Sequence, residues 1–253
     1  MRAIILAAGR GSRMKGLTDN SPKCLMLLHG RPLLEWQIMA LRKEGIEEIA
    51  IVTGYKREQL DVYGLVEFHN KHWAETNMVS SLACADRWLQ LESCIVSYSD
   101  LYYEHTAISS LINNRNSLAI TYDPDWLTLW NQRFGDPLED AEAFRLNSDH
   151  TLADIGHTPN FIEEVEGQYM GLLRFEPTGW NEVIRIRDQL SSIQRDQMDM
   201  TGMLQHVINA KRIPIKALPY YGQWMEVDSE SDLSLGNTAP LQSHVMTDAD
   251  SSS

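Results

Sequence analysis

The sequence predicts a single α/β domain in which a parallel sheet is flanked by helices. Two observations carry this prediction. An apolar run over residues 3–8 breaks into glycine, and strand-like and helix-like segments alternate over the residues that follow. Strand, helix, strand, helix and strand in that order imply parallel pairing with right-handed crossovers. The 253 residues suffice for one such domain with a substantial core.

The amino-acid composition limits the binding partners and the cellular compartment that we expect for the protein. The formal net charge of −13 argues against nucleic acid or an anionic membrane as a partner. The three cysteines, Cys24, Cys84 and Cys94, show no metal-binding spacing. The sequence has no run of about 18 apolar residues and no cleavable leader pattern. We therefore expect a cytoplasmic protein with reduced thiols.

A loop suited to phosphate follows the first strand. Gly9 and Gly11 allow a sharp turn whose backbone N–H groups form a concave anion site, and Arg13 and Lys23 add two cations. No Gly-Lys-Ser/Thr closes the loop, which excludes the Walker pattern. The dinucleotide pattern also fails, because Met14 stands where a third small residue is needed. The loop therefore predicts a site for a nucleoside triphosphate.

The next segments continue the α/β order. Residues 33–44 carry apolar side chains at helical spacing, and residues 48–53 form a second buried strand. A short helical turn at 57–62 and a third strand at 65–68 follow. Ligands of such sheets bind outside the carboxyl ends of the strands. The loop after each of these strands is therefore expected at one rim.

The opening of the chain resembles a known family. Residues 6–14, together with Thr18 and residues 22–25, resemble the start of sugar-phosphate nucleotidyltransferases, as do residues 30–37. The resemblance implies a Rossmann-like, mostly parallel mixed sheet of the nucleotide-diphospho-sugar transferase type. It also implies transfer of a nucleoside monophosphate to a phosphorylated acceptor with release of pyrophosphate. In this family the glycine-rich backbone and the arginine, here Arg13, hold the triphosphate, and the lysine, here Lys23, meets the α-phosphate. The nucleotide-binding residues that the resemblance implies in this part of the chain are Leu6, Ala8, Gly9, Gly11, Ser12, Arg13 and Lys23.

A second stretch of the sequence indicates which nucleotide base the protein recognises. Residues 76–82 resemble the matching stretch of bacterial cytidylyltransferases that activate phosphocholine, 2-aminoethylphosphonate or phosphoglutamine. Asn77 and Ser81 carry groups that can read the edge of a pyrimidine, and the resemblance favours CTP. Alternatively, Thr76 or Asn77 caps the helix expected to run to Leu91.

Three acids are candidate metal ligands. Asp100 ends the strand predicted over residues 94–100, whereas Glu226 and Asp228 stand two apart in an extended segment and share one face. The resemblance implies that Asp100 and Asp228 bind a metal, and Mg²⁺ prefers such hard oxygen ligands. Arg13, Lys23, Asp100 and Asp228 are the predicted catalytic residues, acting by positioning and charge neutralisation.

The middle of the chain is expected to bind the acceptor. Aromatic faces there can hold a cationic amine, although each aromatic residue can equally be core packing. The predicted acceptor residues are Trp126, Trp130, Arg133, Tyr169 and Gly171, and Tyr220 is a further candidate for the aromatic wall. Sugar-phosphate members carry a second lysine where this chain has residues 154–160, which contain none. Candidate substitutes are Arg133, Arg145 and His157.

These predictions combine into one reading. Residues 1–236 form the domain, with a nucleotide part at about 1–105, an acceptor part at about 106–220 and the second metal element at 224–234, and residues 237–253 form a flexible tail. The predicted function is Mg²⁺-dependent transfer of CMP from CTP to a small phosphorylated or phosphonate acceptor, for surface polysaccharide or lipid decoration. The alternatives are a sugar-1-phosphate nucleotidyltransferase that uses UTP, dTTP or GTP, and a non-catalytic nucleotide-binding regulatory domain. Apolar residues at 180–186 and 198–207 belong to the core or to a homodimer interface.

Overall fold

The computed structural model describes residues 1–240, apart from the side chains of Ser12 and Lys15. The strands are β1 (Arg2–Ala7), β2 (Leu27–Leu28), β3 (Arg31–Pro32), β4 (Ile49–Thr53), β5 (Val66–His69), β6 (Cys94–Tyr98), β7 (Leu101–Tyr103), β8 (Leu118–Asp123), β9 (Phe144–Leu146), β10 (Leu152–Ile155), β11 (Gln168–Phe175), β12 (Lys216–Pro219) and β13 (Trp224–Glu226). The α-helices are α1 (Leu33–Lys43), α2 (Met78–Ala83), α3 (Asp86–Leu89), α4 (His105–Ile112), α5 (Trp126–Arg133), α6 (Pro177–Asp188), α7 (Ser192–Asp196), α8 (Met200–Ala210) and α9 (Glu230–Thr238). Short 3₁₀ helices include Ser12–Thr18 and Lys23–Leu25.

Seven strands form the central sheet in the order β12-β8-β11-β6-β1-β4-β5. All neighbouring pairs are parallel except those of β11, which runs antiparallel to both β6 and β8. The mixed, mostly parallel sheet expected from the family resemblance is therefore confirmed. The loops after β1, β4, β5 and β6 meet at one edge, because those four strands are mutually parallel.

Helices cover both faces of this sheet because side chains alternate along the strands. Ile4 and Leu6 of β1 face one core, against α2, α3, α6 and α8. Ala3 and Ile5 face the other core, against α1, α4 and α5. The apolar residues of 180–186 and 198–207 that are buried, including Trp180 and Met203, pack into the first of these cores.

A two-stranded ribbon positions the site beside the main sheet. Strands β7 and β13 pair antiparallel, so that Glu226 lies opposite Leu101. The backbone N–H of Val227 then donates to the Asp100 carbonyl at 3.0 Å. This ribbon brings two segments together that are more than a hundred residues apart in the chain.

Three local predictions need adjustment. Strand β6 ends at Tyr98, so Asp100 lies in the turn between β6 and β7 and does not end the strand predicted over residues 94–100. The helix expected to run from residue 76 or 77 to Leu91 is divided into α2 and α3, because i→i+3 hydrogen bonds from Cys84 and Ala85 tighten the chain between them. Helix α9 extends to Thr238, so the first two residues of the expected tail are helical. Residues 241–253 of that tail lie outside the described part of the chain.

Candidate active site

Gly11 shapes the loop that follows β1. Its φ of +68° is a left-handed conformation that L side chains rarely adopt, and it caps the 3₁₀ helix Ser12–Thr18. The Gly11 carbonyl accepts hydrogen bonds from the Met14 N–H and the Thr18 hydroxyl, each at 3.0 Å. A Cβ at this position would come within 2.9 Å of the Lys23 side chain. The glycine therefore allows the lysine to pass directly against the loop.

Lys23 is a buried cation between two carboxylates. Its ammonium donates to Asp100 at 2.7 Å and also contacts Asp228. Burial alone would lower the pKa of Lys23, but the two carboxylates outweigh it and hold that pKa above its ordinary value. Arg13 pairs with the other oxygen of Asp228 at 2.6 Å. Both predicted cations therefore meet the predicted acids.

The three predicted metal ligands converge. Oxygen atoms of Asp100, Glu226 and Asp228 lie within 4.8 Å of one another. Burial, together with the charges of Asp228 and Asp100, raises the pKa of Glu226 to about 8. The Oδ1 atom of Asp100 is buried and has no hydrogen-bond partner among the described residues. Hard oxygen ligands and an unsatisfied carboxylate oxygen fit a divalent cation such as Mg²⁺.

A cavity of about 290 Å³ opens in front of these groups. It is lined by all the predicted nucleotide-binding residues except Ser12, whose side chain is outside the description: Leu6, Ala8, Gly9, Gly11, Arg13, Lys23, Asn77 and Ser81. Trp73, Thr76, Met78, Tyr98 and Ser99 complete the wall together with Asp100 and Asp228. The segment after β5 thus reaches the glycine-rich loop, as expected from the parallel sheet.

Asn77 and Ser81 are both in hydrogen bonds at the far end of this cavity. The Asn77 side chain accepts from the Met78 N–H at 2.7 Å, which caps α2, and donates to the Gln197 carbonyl at 3.2 Å. The Ser81 hydroxyl accepts from Asn70 at 3.0 Å, and the same Asn70 amide also donates to Thr76. The capping alternative is therefore real for Asn77, and it leaves Asn77 on the cavity wall. Base recognition by these residues stays a prediction.

A second cavity of about 350 Å³ adjoins the first. The two share Arg13, Asn77, Met78, Tyr98, Asp100 and Asp228 as lining residues. A molecule in either cavity can therefore reach the same acids. This arrangement suits two substrates whose reacting atoms meet at the common wall.

The second cavity is strongly acidic. Asp140, Glu142, Asp199 and Glu226 line it in addition to the shared acids, and Arg13 is the sole cation among its described lining residues. Burial, followed by the charge of Asp199, raises the pKa of Glu142 to about 7. Such a cavity favours a cationic group on whatever it holds.

Two of the predicted acceptor residues, Trp130 and Tyr169, line the second cavity. Trp126 lies elsewhere: its ring is in the core and its indole N–H donates to the Val165 carbonyl at 3.1 Å. Gly171 has a φ of +73°, and a Cβ there would come within 2.6 Å of the Tyr98 ring. Gly171 therefore lies directly against Tyr98, which lines both cavities, and lines neither cavity itself.

The arginine predicted to bind the acceptor is buried. The Arg133 side chain has no solvent exposure and pairs with Asp232 at 2.9 Å. Arg145 is exposed, and His157 is exposed and 3.3 Å from Asp154. None of these three lines either cavity. Tyr220 is likewise buried in the core, where its hydroxyl lies 3.1 Å from that of Thr106.

Sequence reasoning missed several lining residues. Trp73 stands three residues before the stretch predicted to recognise the base, and an aromatic ring there is a candidate stacking surface. Glu142 and Asp199 had no such signal, because neither belongs to a recognisable sequence motif. Neither has a sequence neighbour with a predicted role, and only the tertiary fold brings them to one cavity.

No helix among the described residues is long and apolar enough to cross a lipid bilayer.

Comparisons with known proteins agree with this geometry. Residues 3–153 match the family described as MobA-like NTP transferase domain. The CTP:phosphoglutamine cytidylyltransferase of Campylobacter jejuni is 36% identical over 249 residues, which cover 92% of this chain and 98% of that protein. The choline-phosphate cytidylyltransferase of Streptococcus pneumoniae is 29% identical over 67% of this chain and 77% of its own length. The solved structure of an inositol-1-phosphate CTP transferase from T. maritima shares the fold, with a TM-score of 0.74 at 18% identity over 96% of this chain and 92% of that one.

Proposed function

Because the chain belongs to the MobA-like NTP transferase family and is a nucleotidyltransferase, we propose that it transfers CMP from CTP to a small phosphorylated or phosphonate acceptor. Pyrophosphate is the second product. Both curated relatives described above are cytidylyltransferases by name, which supports CTP as the donor.

One observation carries the proposal. Arg13, Asp100 and Asp228 form a wall common to two cavities, and the glycine-rich loop lines one of them. A triphosphate on the loop side and an acceptor on the acidic side would therefore meet at the wall. Holding two reactants in this way can itself lower the barrier by several kcal/mol.

We propose the following course of CMP transfer from the positions of these residues. An anionic oxygen of the acceptor attacks the α-phosphorus of CTP, so that a new P–O bond forms. The bond between the α-phosphorus and the oxygen bridging to the β-phosphate breaks, and its electron pair leaves with pyrophosphate. Lys23 is placed to offset charge on the α-phosphoryl group. Arg13 and the loop N–H groups are placed to stabilise the departing pyrophosphate.

The acids would hold the metal that this chemistry requires. Asp100 and Asp228 are the proposed ligands of Mg²⁺, and Glu226 is a third candidate. When bound, the ion would supply positive charge to the phosphate oxygens and the incoming oxygen.

The acidic cavity supports an acceptor that carries an amine. Glu142, Asp199 and Asp140 face a space that has one described cation, Arg13. An ammonium group would be attracted to these acids. Phosphocholine, 2-aminoethylphosphonate and phosphoglutamine all meet this requirement. We place the reaction in the cytoplasm, where CTP is available, as the activation step before decoration of a surface polysaccharide or lipid.

A substrate matrix tests the proposal. CTP, UTP, dTTP and GTP are each combined with the three amine-bearing acceptors and with a set of hexose 1-phosphates, and pyrophosphate release is measured. We expect release with CTP and an amine-bearing acceptor. Release only with UTP, dTTP or GTP and a hexose 1-phosphate would favour the sugar-phosphate alternative. Release with no pair, despite CTP binding, would favour a regulatory domain.

A further inference from the structure

Arg133 is the most thoroughly buried charged side chain near the three acids. Its guanidinium lies over the Trp130 and Phe134 rings, with Cζ 4.9 Å from each ring centroid. Its exposed fraction is 0%, so solvent cannot stabilise its charge. A charge kept in such a place needs partners of opposite sign, since an unpaired buried charge is strongly unfavourable.

Asp232 is the main partner of Arg133. The Arg133 Nε donates to Asp232 Oδ1 at 2.9 Å, and Nη2 donates to Oδ2 at 3.3 Å. The third nitrogen, Nη1, lies 3.9 Å from Glu226 and has no hydrogen-bond partner among the described residues. The planar guanidinium therefore binds the Asp232 carboxylate through two nitrogens, while its third nitrogen faces the Glu226 carboxylate.

The same Asp232 carboxylate fixes the backbone of a predicted metal ligand. Its Oδ2 accepts from the backbone N–H groups of Asp228 at 3.0 Å and Ser229 at 2.9 Å. On the other side, the Val227 N–H donates to the Asp100 carbonyl at 3.0 Å. Hydrogen bonds to Asp232 and to the Asp100 carbonyl therefore fix the backbone around Asp228 on two sides. Arg133 supports the first of these contacts, because it pairs with Asp232.

We infer that Arg133 is a positioning residue for the divalent-cation site: through Asp232 it fixes the Asp228 backbone, and through Nη1 it faces Glu226. The inference rests on the proposed function, because it concerns the metal site assigned there. Arg133 itself lines neither cavity, so it acts on the cation only through these acids. Groups that orient metal ligands from behind typically change metal affinity by about 10- to 100-fold when they are removed.

The test measures Mn²⁺ binding, which does not depend on turnover. Free Mn²⁺ is followed by electron paramagnetic resonance during titration of the wild-type protein and of Arg133→Met and Arg133→Lys. We expect Arg133→Met to weaken Mn²⁺ binding by about 10-fold or more. Arg133→Lys keeps the charge but not the fork, so its loss should be smaller. Binding of α,β-methylene-CTP in EDTA should stay within twofold of wild type, because the nucleotide cradle is intact.

Arg174→Met is the matched control. Arg174 is similarly buried, with a side chain 3% exposed, and it forms an ion pair with Glu176. It pairs in register with Ile95, near the end of β6 opposite to Asp100. We expect this variant to lose stability while retaining wild-type Mn²⁺ affinity. Weaker Mn²⁺ binding by Arg174→Met as well would mean that any lost buried arginine has this effect, which overturns the inference.

Asp232→Asn covers the case in which Arg133→Met does not fold. An asparagine oxygen can still accept the Asp228 and Ser229 N–H groups, but it no longer pairs with the Arg133 charge. We expect a loss of Mn²⁺ affinity like that of Arg133→Met, and no further loss in the double variant. If the wild-type protein binds Mn²⁺ and the folded variants bind it equally well, this inference fails alone. If the wild-type protein binds none, the metal part of the proposed function fails with it.

Discussion

Lys23 has two partners, and this makes its removal informative. The Lys23 ammonium is bonded to Asp100 and in contact with Asp228, and both carboxylates line the two cavities. We expect Lys23→Ala and Asp100→Asn each to retain the fold and to lose turnover by about 10²- to 10³-fold, as when one stabilising group is taken from a transition state. Pyrophosphate release measures the loss, and circular dichroism checks the fold. A folded variant with near-wild-type turnover would remove that residue from the mechanism.

Glu142 predicts a pH dependence of stability. Its pKa is raised from 4.5 to about 7, so between these values the unfolded chain loses a proton that the folded protein keeps. The contribution of Glu142 to the stability of the wild-type protein therefore falls as pH rises through this range. Glu142→Gln removes this penalty. We expect the variant to be more stable than wild type above pH 7, by about 3 kcal/mol, and equally stable near pH 4.

Urea unfolding at pH 4.5, 6 and 8 measures this difference. The gain from Glu142→Gln should increase between the first and the last pH. A gain that is constant across the three values would show that the carboxyl does not change its protonation on folding.

Candidate site residues could be predicted from the sequence where several of them stand close together in the chain. Gly9, Gly11 and Arg13 stand within five positions of one another, so one short string indicated the loop. Glu142 and Asp199 are 57 positions apart and meet only through tertiary packing. No local pattern distinguishes them from the many other acids of a chain with 35.

Helix α9 shows how an element can serve a site without touching a substrate. Ser229 caps it and Asp232 completes a capping box, while the same Asp232 holds the Asp228 N–H. We expect Ser229→Ala to reduce the free energy of unfolding by about 1 kcal/mol, because the N-cap acceptor is lost.

Thermal or urea unfolding measures that loss. Ser191→Ala in α7 is the control, since Ser191 also forms a capping box but lies outside both cavity walls. Both variants should lose stability, and only Ser229→Ala should also reduce turnover. Equal turnover in the two would mean that the cap does not influence Asp228.

The sequence predicted where elements begin and end better than it predicted which of their side chains face the core. The helix predicted over residues 33–44 is α1, at Leu33–Lys43, and the strand predicted over residues 65–68 is β5, at Val66–His69. The periodicity of α5 did not show which aromatic side faces the core, however. Trp126 enters the core and Trp130 reaches the second cavity, although both are almost completely buried.

The order of the strands in the whole sheet could not be predicted from the residues alone. The parallel group β6-β1-β4-β5 follows from the alternation of strands and helices. The antiparallel β11, inserted between β6 and β8, depends on pairing between residues about 50 to 80 positions apart. Only the family resemblance implied that the sheet is mixed.

At the scale of the molecule, ligands should stabilise the fold. The first cavity is built from segments that include Leu6, Asn77, Asp100 and Asp228, so a bound nucleotide contacts parts that separate on unfolding. With Mg²⁺ and CTP at about 100 times its dissociation constant, we expect about 2.7 kcal/mol of added stability. Thermal unfolding with each of the four nucleotides measures it. The increase should be largest with CTP, and an equal increase with all four would contradict the base preference.

The ribbon of β7 and β13 has a consequence for the newly made protein. It joins residues 101–103 to residues 224–226, and both Asp100 and Asp228 are fixed next to it. A ribosome must therefore synthesise more than a hundred residues after Asp100 before Asp228 exists. We therefore expect chains that end before Asp228 to release no pyrophosphate from CTP, even when their glycine-rich loop has folded.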